Sequence, residues 1–175
     1  MRGVRREKKF TDLTDLLTKK HPKTDTAVFP SKKALQCYAA CLGFEKKSRV
    51  ALSPGAVDSI EWHTFDNGNF TDYIYVISLA HSKDLAVLGY DIEKSDKGEF
   101  NEDMVSIFEE YANGGFEIIQ NWLNKNPNDS YGTNALIAGL KRDGFLSMEL
   151  SNNEEKPFPK VKFWFAKRFR YQGCL

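Results

Sequence analysis

Residues 107–123, IFEEYANGGFEIIQNWL, constrain the fold most strongly, because they contain two apolar helical stretches on either side of a potential backbone break. Before the break, large or apolar side chains recur at helical spacing, namely Met104, Phe108, Tyr111 and Ala112. A second apolar face follows, formed by Phe116, Ile119, Trp122 and Leu123. Asn113, Gly114 and Gly115 tolerate the left-handed conformation that ends many helices. The segment therefore predicts two helices that are separated at residues 113–115.

Similar spacing predicts four further helices, at residues 7–20, 31–43, 70–80 and 135–144. Ser31 is the expected N-cap of the second of these, and Gly43 is its expected stop. Residues 84–88 extend or restart the third helix, and residues 90–101 form an acidic loop. These patterns predict a mainly helical protein.

A minor β element is expected between the second and third of these helices. Residues 44–69 lack helical periodicity and contain turn-forming sequences such as Ser53-Pro54-Gly55 and Asn67-Gly68. Residues 49–52 and 60–65 are the predicted strands of a short hairpin, although two strands alone form a marginal sheet. The predicted class is thus mainly α, or α+β with a minor β element, in one compact helical domain.

Domain organisation is predicted from length and from the composition of the C-terminal region. A chain of 175 residues fits one domain. We place the helical domain at residues 1–150, and a polar, proline-containing linker at residues 151–159. Residues 160–175 are a basic, aromatic tail whose period-two alternation indicates a possible strand.

Charge is strongly segregated along the chain, although the net charge is only +1. Residues 1–50 contain 13 Lys and Arg against 5 Asp and Glu, or +8; residues 51–155 contain 6 against 19, or −13; residues 156–175 contain 6 against 0, or +6. Such asymmetry indicates contact of the basic parts with nucleic acid or with an acidic partner. The alternative is that the basic ends pack against the acidic middle of the same chain.

The basic ends supply the candidate nucleic-acid-binding residues. Cations follow phosphates and aromatic rings stack on bases, which is how single-stranded nucleic acid is often bound. An edge strand with Lys and Arg on its solvent face would have the same composition. The candidates are Arg2, Arg5, Arg6, Lys8, Lys9, Lys160, Lys162, Trp164, Lys167, Arg168 and Arg170.

Catalytic and metal-binding patterns are weak. Glu-x-Lys occurs at residues 7–9, 45–47 and 154–156, all within predicted helix or loop, where chance occurrence is a better explanation than a magnesium nuclease. His63 beside Glu61 is the best acid/base candidate. Cys37 and Cys41 fit core packing better than a metal site, because no second Cys or His pair accompanies them. We expect no catalytic residue, no metal and no cofactor, and residues 113–115 lack the Lys-Ser or Lys-Thr of a phosphate-binding loop.

The apolar runs are too short or too interrupted to span a bilayer, which needs roughly 20 residues. The basic N-terminus lacks the apolar core of a secretory signal, and three cysteines do not suggest a disulfide scaffold. These features favour a cytoplasmic protein.

Three segments together resemble a family of small bacterial proteins: the basic start at residues 4–6, the helix ALQCYAACLGF at residues 34–44, and IFEEYANGGF at residues 107–116. The family is the dnd-system-associated, or DNA phosphorothioation-associated, group, and the resemblance covers roughly residues 4–125. Because these are packing motifs, they support a shared fold more firmly than a shared activity.

The resemblance implies a role in bacterial defence clusters in which sulfur replaces a backbone oxygen of DNA and unmodified invading DNA is restricted. It implies no catalytic residue. The expected role is that of an accessory protein that contacts DNA, either unmodified or phosphorothioate-modified, or the larger restriction proteins. Two alternatives remain open: a DNA-binding regulator of the cluster, expected to bind duplex DNA selectively, and a magnesium-dependent nuclease.

Overall fold

The computed structural model of the chain describes residues 2–55, 57–88 and 102–146. The strands and helices, in chain order, are β1 Val4–Glu7, α1 Thr11–Thr18, α2 Lys32–Glu45, β2 Val57–Ile60, α3 Trp62–Asp66, α4 Thr71–Ser82, α5 Glu102–Asn124 and α6 Thr133–Arg142. The predicted class, mainly α with a minor β element, is confirmed. The loop at residues 90–101, the domain end at residue 150, the linker at 151–159 and the tail at 160–175 lie largely or wholly outside the described residues.

The predicted break at residues 113–115 is wrong, because α5 runs without interruption through this segment. Its two glycines face other parts of the backbone. A Cβ on Gly115 would overlap the backbone of Ala39 in α2, and a Cβ on Gly114 would overlap the backbone of Ser48. These glycines therefore permit a close approach between main chains and do not end a helix.

The same close approach explains why α2 continues past its predicted stop at Gly43. A Cβ on Gly43 would overlap the carbonyl of Tyr111, so this glycine also lies in the contact between α2 and α5. The predicted start of α2 is confirmed, since the Ser31 hydroxyl accepts a hydrogen bond from the Ala34 N–H at 3.2 Å.

The strands differ from those predicted. β2 pairs in antiparallel register with β1 at the N-terminus, so that Val4 lies opposite Ile60 and Glu7 lies opposite Val57. Residues 49–52 form no strand, and the second predicted strand, 60–65, is mostly helix α3. The helix predicted over residues 7–20 begins only at Thr11, after β1 and a 3-10 turn at Lys8–Phe10.

Side chains from two helices stabilise this two-stranded sheet at the edge where a third strand would lie. The Glu109 carboxylate of α5 accepts the Arg5 backbone N–H at 2.6 Å, and the Gln36 amide of α2 donates to the Arg5 carbonyl at 2.8 Å. Because buried backbone polar groups need partners, these contacts replace a strand and make the small sheet viable.

The core is centred on α5, which packs against α2, α4, α6 and β1. Phe10 stacks on Phe116, with ring centroids 5.2 Å apart, and Phe65 meets Phe108 edge to face at 6.0 Å. Gly139 of α6 lies directly on the ring of buried Trp122. The long apolar face of α5 is therefore the element around which the other helices assemble.

The remaining predicted helices are confirmed with small changes at their ends. Helices α4 and α6 correspond to the predictions at residues 70–80 and 135–144. Residues 85–88 form a 3-10 turn that is separated from α4 by Lys83 in the left-handed conformation, with φ at 57°. Among the described helices, none combines the length and apolar character needed to cross a membrane.

Candidate nucleic-acid interface

The structure places Arg2 and Arg5 against one buried carboxylate, that of Glu109, which is 1% exposed. Arg2 Nη2 and Arg5 Nη2 lie 3.0 and 2.9 Å from Glu109 Oε2, and Arg2 also donates to the Ser106 hydroxyl at 3.0 Å. Both arginines thus fix the N-terminal segment to α5. The Arg5 side chain is still 43% exposed, so part of its guanidinium faces solvent.

Arg6 is bound in a different way, across the small sheet. Its side chain is 7% exposed, with Nη2 2.9 Å from the Asp58 carboxylate and Nη1 2.9 Å from the Thr14 hydroxyl. Arg6 and Asp58 are register partners in β1 and β2, so this ion pair links the two strands to α1.

Glu7 and Lys9 form the first Glu-x-Lys pair, and Glu7 lies on a strand, not in the predicted helix or loop. The Glu7 carboxylate is 2.7 Å from the Lys9 ammonium and accepts the Ser53 N–H at 2.7 Å. Burial alone would raise the pKa of Glu7, but the hydrogen bonds from Lys9 and Ser53 outweigh it and hold the pKa below its usual value. The hydrogen bond to Glu7 raises the pKa of Lys9, and this outweighs the opposite effect of its partial desolvation. These mutual contacts indicate a structural pair.

The other nuclease and acid/base candidates lie on separate parts of the chain. Glu45 and Lys47, the second Glu-x-Lys pair, are both exposed at the C-terminal end of α2, and residues 154–156 are outside the described part. His63 is exposed on α3. In residues 2–55, 57–88 and 102–146, no group of three or more His, Cys, Asp or Glu side chains could hold a metal ion.

Of the N-terminal candidates, Lys8 is exposed and makes no ion pair with another described residue, whereas Arg2, Arg5, Arg6 and Lys9 each contact an acidic side chain. The tail candidates lie outside the described residues: Lys160, Lys162, Trp164, Lys167, Arg168 and Arg170. A role of either set in binding nucleic acid remains a prediction.

Arg49, His81 and Tyr111 are joined in a polar chain that the sequence pattern did not predict. Arg49 Nη1 is 2.7 Å from His81 Nε2, and His81 Nδ1 is 2.9 Å from the Tyr111 hydroxyl. Because a guanidinium only donates, Nε2 must accept and Nδ1 carries the proton in this arrangement. Arg49 also pairs with Glu110 at 2.5 Å, on the wall of an open cleft of about 520 Å³. No spacing in the sequence indicates this cluster, because its members come from three separate segments.

Cys37 and Cys41 pack in or against the core, as predicted. Burial raises the pKa of the Cys37 thiol to about 12 and that of Cys41 to about 11. The thiolate is the reactive form, so both side chains are protected by protonation as well as by packing.

We therefore expect both thiols to resist alkylation in the folded protein. In a Cys174→Ser variant, iodoacetamide at about pH 8 should leave Cys37 unmodified and modify Cys41 slowly, whereas both should react fully in denaturant. Mass spectrometry of the intact protein would count the modified thiols. Rapid alkylation of native Cys37 would contradict its described burial.

Comparison with known proteins identifies the family to which the chain belongs. The family model of DNA sulphur modification system-associated protein 4 matches residues 3–158. No curated protein and no solved structure matches the chain. The matched range includes every element described above and ends before the basic tail. The chain therefore belongs to the family of DNA sulphur modification system-associated protein 4.

Proposed function

We propose that this protein is a non-catalytic, cytoplasmic accessory of a DNA phosphorothioation-linked restriction system, and that it contacts DNA, the larger restriction proteins, or both. The observation that carries the proposal is membership of a family associated with DNA sulphur modification, over residues 3–158. In a system that acts on DNA, the basic ends of the chain have an expected role as phosphate contacts. Phosphate contact dominates the affinity of most DNA-binding proteins.

The phosphate contact is assigned to the basic C-terminal tail, residues 160–175, and to Lys8. Arg2 and Arg6 are engaged by Glu109 and Asp58, which supports a structural role for much of the N-terminal segment. Residues 160–175 contain 5 Lys and Arg and no Asp or Glu, so the tail has no acidic residue of its own to neutralise it. The tail is thus the main DNA-contacting element in this proposal, with Lys8 as a further contact.

The protein contact is assigned to the acidic middle of the chain. Asp66 and Asp72 are exposed on α3 and α4, and the outer face of α4 also exposes Tyr73 and Val76 by 45% and 59%. Exposed apolar side chains bordered by charges are typical of protein interfaces. This arrangement supports a protein partner that binds α4.

The proposal predicts DNA binding with a steep salt dependence. Fluorescence anisotropy of duplex and single-stranded DNA, with and without phosphorothioates, would be measured at about 50 and 200 mM salt. Replacing Lys160, Lys162, Lys167, Arg168 and Arg170 with glutamine should weaken binding at least tenfold at the lower salt concentration and reduce the salt slope.

Replacing Lys47, Lys83 and Lys141 with glutamine provides a control for loss of charge elsewhere, because these exposed lysines make no ion pair with another described residue. If the unaltered protein does not bind DNA at the lower salt concentration, the DNA contact is removed from the proposal. Preference for one duplex sequence would favour the regulator, and cleavage that requires magnesium would favour the nuclease.

A further inference from the structure

A basic surface lies beyond the C-terminal end of α1, where residues 19–26 contact Tyr131. We call it the Tyr131 surface and define it as Lys19, Lys20, His21, Lys23 and Tyr131. We propose that it binds the phosphate backbone of DNA. The inference deepens the proposed function and rests on it.

The three lysines of the Tyr131 surface are exposed. Lys19 and Lys23 make no ion pair with another described residue, and Lys20 pairs at 3.0 Å with Asp25, whose side chain is 82% exposed. An ion pair so open to water is weak, so a phosphate can replace Asp25 as the partner of Lys20. The surface therefore offers three ammonium groups within five residues.

The loop that presents these lysines is held in one conformation by its own backbone. The His21 N–H donates to the Thr26 carbonyl at 2.8 Å, and the Asp25 N–H donates to the His21 carbonyl at 2.9 Å. The Lys23 N–H donates to His21 Nδ1 at 3.2 Å. The lysine backbones are thus positioned before any ligand binds, which lowers the entropic cost of binding.

Tyr131 connects this loop to the start of α6. Its ring centroid is 4.6 Å from that of His21 and 5.5 Å from the Lys19 ammonium. A cation over an aromatic face is attracted by the ring, so Tyr131 restricts where the Lys19 charge lies.

The Tyr131 backbone is fixed in turn by Asp129 and Gly132. The Asp129 carboxylate accepts the N–H groups of Tyr131 and Ala135, at 3.3 and 2.9 Å. Gly132, at φ 74°, packs so closely that a Cβ would overlap the side chain of Leu17 in α1. Two separate chain segments are thereby joined at a fixed distance, which distinguishes this surface from an unstructured run of lysines.

The chemistry of the surface fits a polyanion better than a folded protein. The large apolar side chains with the greatest exposure in the described residues are elsewhere: Tyr73, Val76, Leu85 and Ile137. The Tyr131 surface also lies within the family match at residues 3–158, whereas the tail at residues 160–175 lies beyond it.

The test uses the full chain with Lys19, Lys20 and Lys23 replaced by glutamine. We expect the dissociation constant for duplex DNA to rise at least tenfold at about 50 mM salt. The slope of its logarithm against the logarithm of salt concentration should fall by about 2 to 3, since each lost phosphate contact removes about 0.9. The control replaces Lys47, Lys83 and Lys141 with glutamine, which gives the same net charge on other surfaces.

The two glutamine variants separate the possible outcomes. An equal loss in both would mean that net charge alone governs binding, and would overturn the inference. If the unaltered protein binds DNA and the Lys19, Lys20 and Lys23 variant binds equally well, the Tyr131 surface is not the DNA contact. The tail would then remain as the DNA contact. Absence of binding by the unaltered protein would overturn this inference and would remove the DNA contact, but not the protein contact, from the proposed function.

A second variant tests the aromatic ring separately from charge. Tyr131→Leu should weaken DNA binding about twofold to threefold by releasing Lys19, whereas Tyr131→Phe keeps the ring and should bind as the unaltered protein does. Circular dichroism would confirm that each variant is folded. Equal affinity of the leucine and phenylalanine variants would show that the ring does not position Lys19.

Discussion

Replacing Gly115 with alanine is expected to destabilise the protein by about 2 to 4 kcal/mol, although alanine favours helix over glycine by about 1 kcal/mol. The added Cβ would overlap backbone atoms of Ala39, which cannot rotate away as a flexible side chain could. Helices α2 and α5 would have to separate, with loss of packing along their contact. Urea unfolding followed by circular dichroism would measure the change in unfolding free energy.

Two further variants identify the cause of this loss. Asn121→Ala, at an exposed position on the same helix, should change the unfolding free energy by less than about 0.5 kcal/mol. Ala39→Gly should not rescue Gly115→Ala, because the overlap is with the Ala39 carbonyl group and Cα, which glycine would also have. Rescue, or a Gly115→Ala protein as stable as the original, would contradict the close contact of the two backbones.

The Gly114-Gly115 pair shows where local sequence patterns succeed and fail. Helices α2, α4 and α6 were predictable because their apolar spacing and their end signals, such as the Ser31 cap, are encoded within one helix. The residues at 113–115 carry an equally clear local signal for a helix end. The helix continues nevertheless. Glycine is required at 114 and 115 because the backbones of Ser48 and Ala39, which are distant in sequence, lie against these positions.

The sheet was less predictable for the same reason. β1 pairs with a strand whose residues lie 50 to 56 positions further along the chain, and the partners on its outer edge, Gln36 and Glu109, come from two different helices. A strand of four residues, three of them charged, has too little alternation to indicate its register. Only the assembled helices define where such a strand can bind.

For the candidate interface, charge composition showed that basic and acidic segments are separated along the chain, but it did not show which side chains contact each other. It left open whether the basic start contacts nucleic acid or the acidic middle of the chain. The structure shows contacts with acids for Arg2 and Arg5 at Glu109, while the neighbouring Glu110 pairs with Arg49. Which glutamate faces which arginine depends on the rotation of α5 about its axis, which the core packing determines.

Glu109→Gln is expected to lower the unfolding free energy by about 2 kcal/mol at neutral pH. Glutamine keeps the size of the side chain but replaces one acceptor oxygen with a donor group that faces arginine N–H groups. Loss of a buried partner can cost about 3 to 5 kcal/mol, but Arg2 and Arg5 are 21% and 43% exposed, so water reduces the loss. Urea unfolding would again give the value.

Glu117→Gln is the matched control, because Glu117 also lies on α5 and pairs with a lysine of the N-terminal region, but both side chains are well exposed. It should cost less than about 0.5 kcal/mol, and high salt should remove that loss. The Glu109 loss should largely persist in high salt, since a buried pair is screened far less. A double-mutant cycle with Arg5→Gln would isolate the pairwise energy.

The Glu109 result bears directly on DNA binding. If Glu109 holds the N-terminal segment, its replacement releases two arginines, and the Glu109→Gln protein should bind DNA more tightly and with a steeper salt slope while being less stable. If instead Glu109→Gln costs no more than Glu117→Gln and leaves DNA affinity unchanged, Glu109 does not restrain Arg2 and Arg5. Their assignment to DNA would then have to be tested by replacing the arginines themselves.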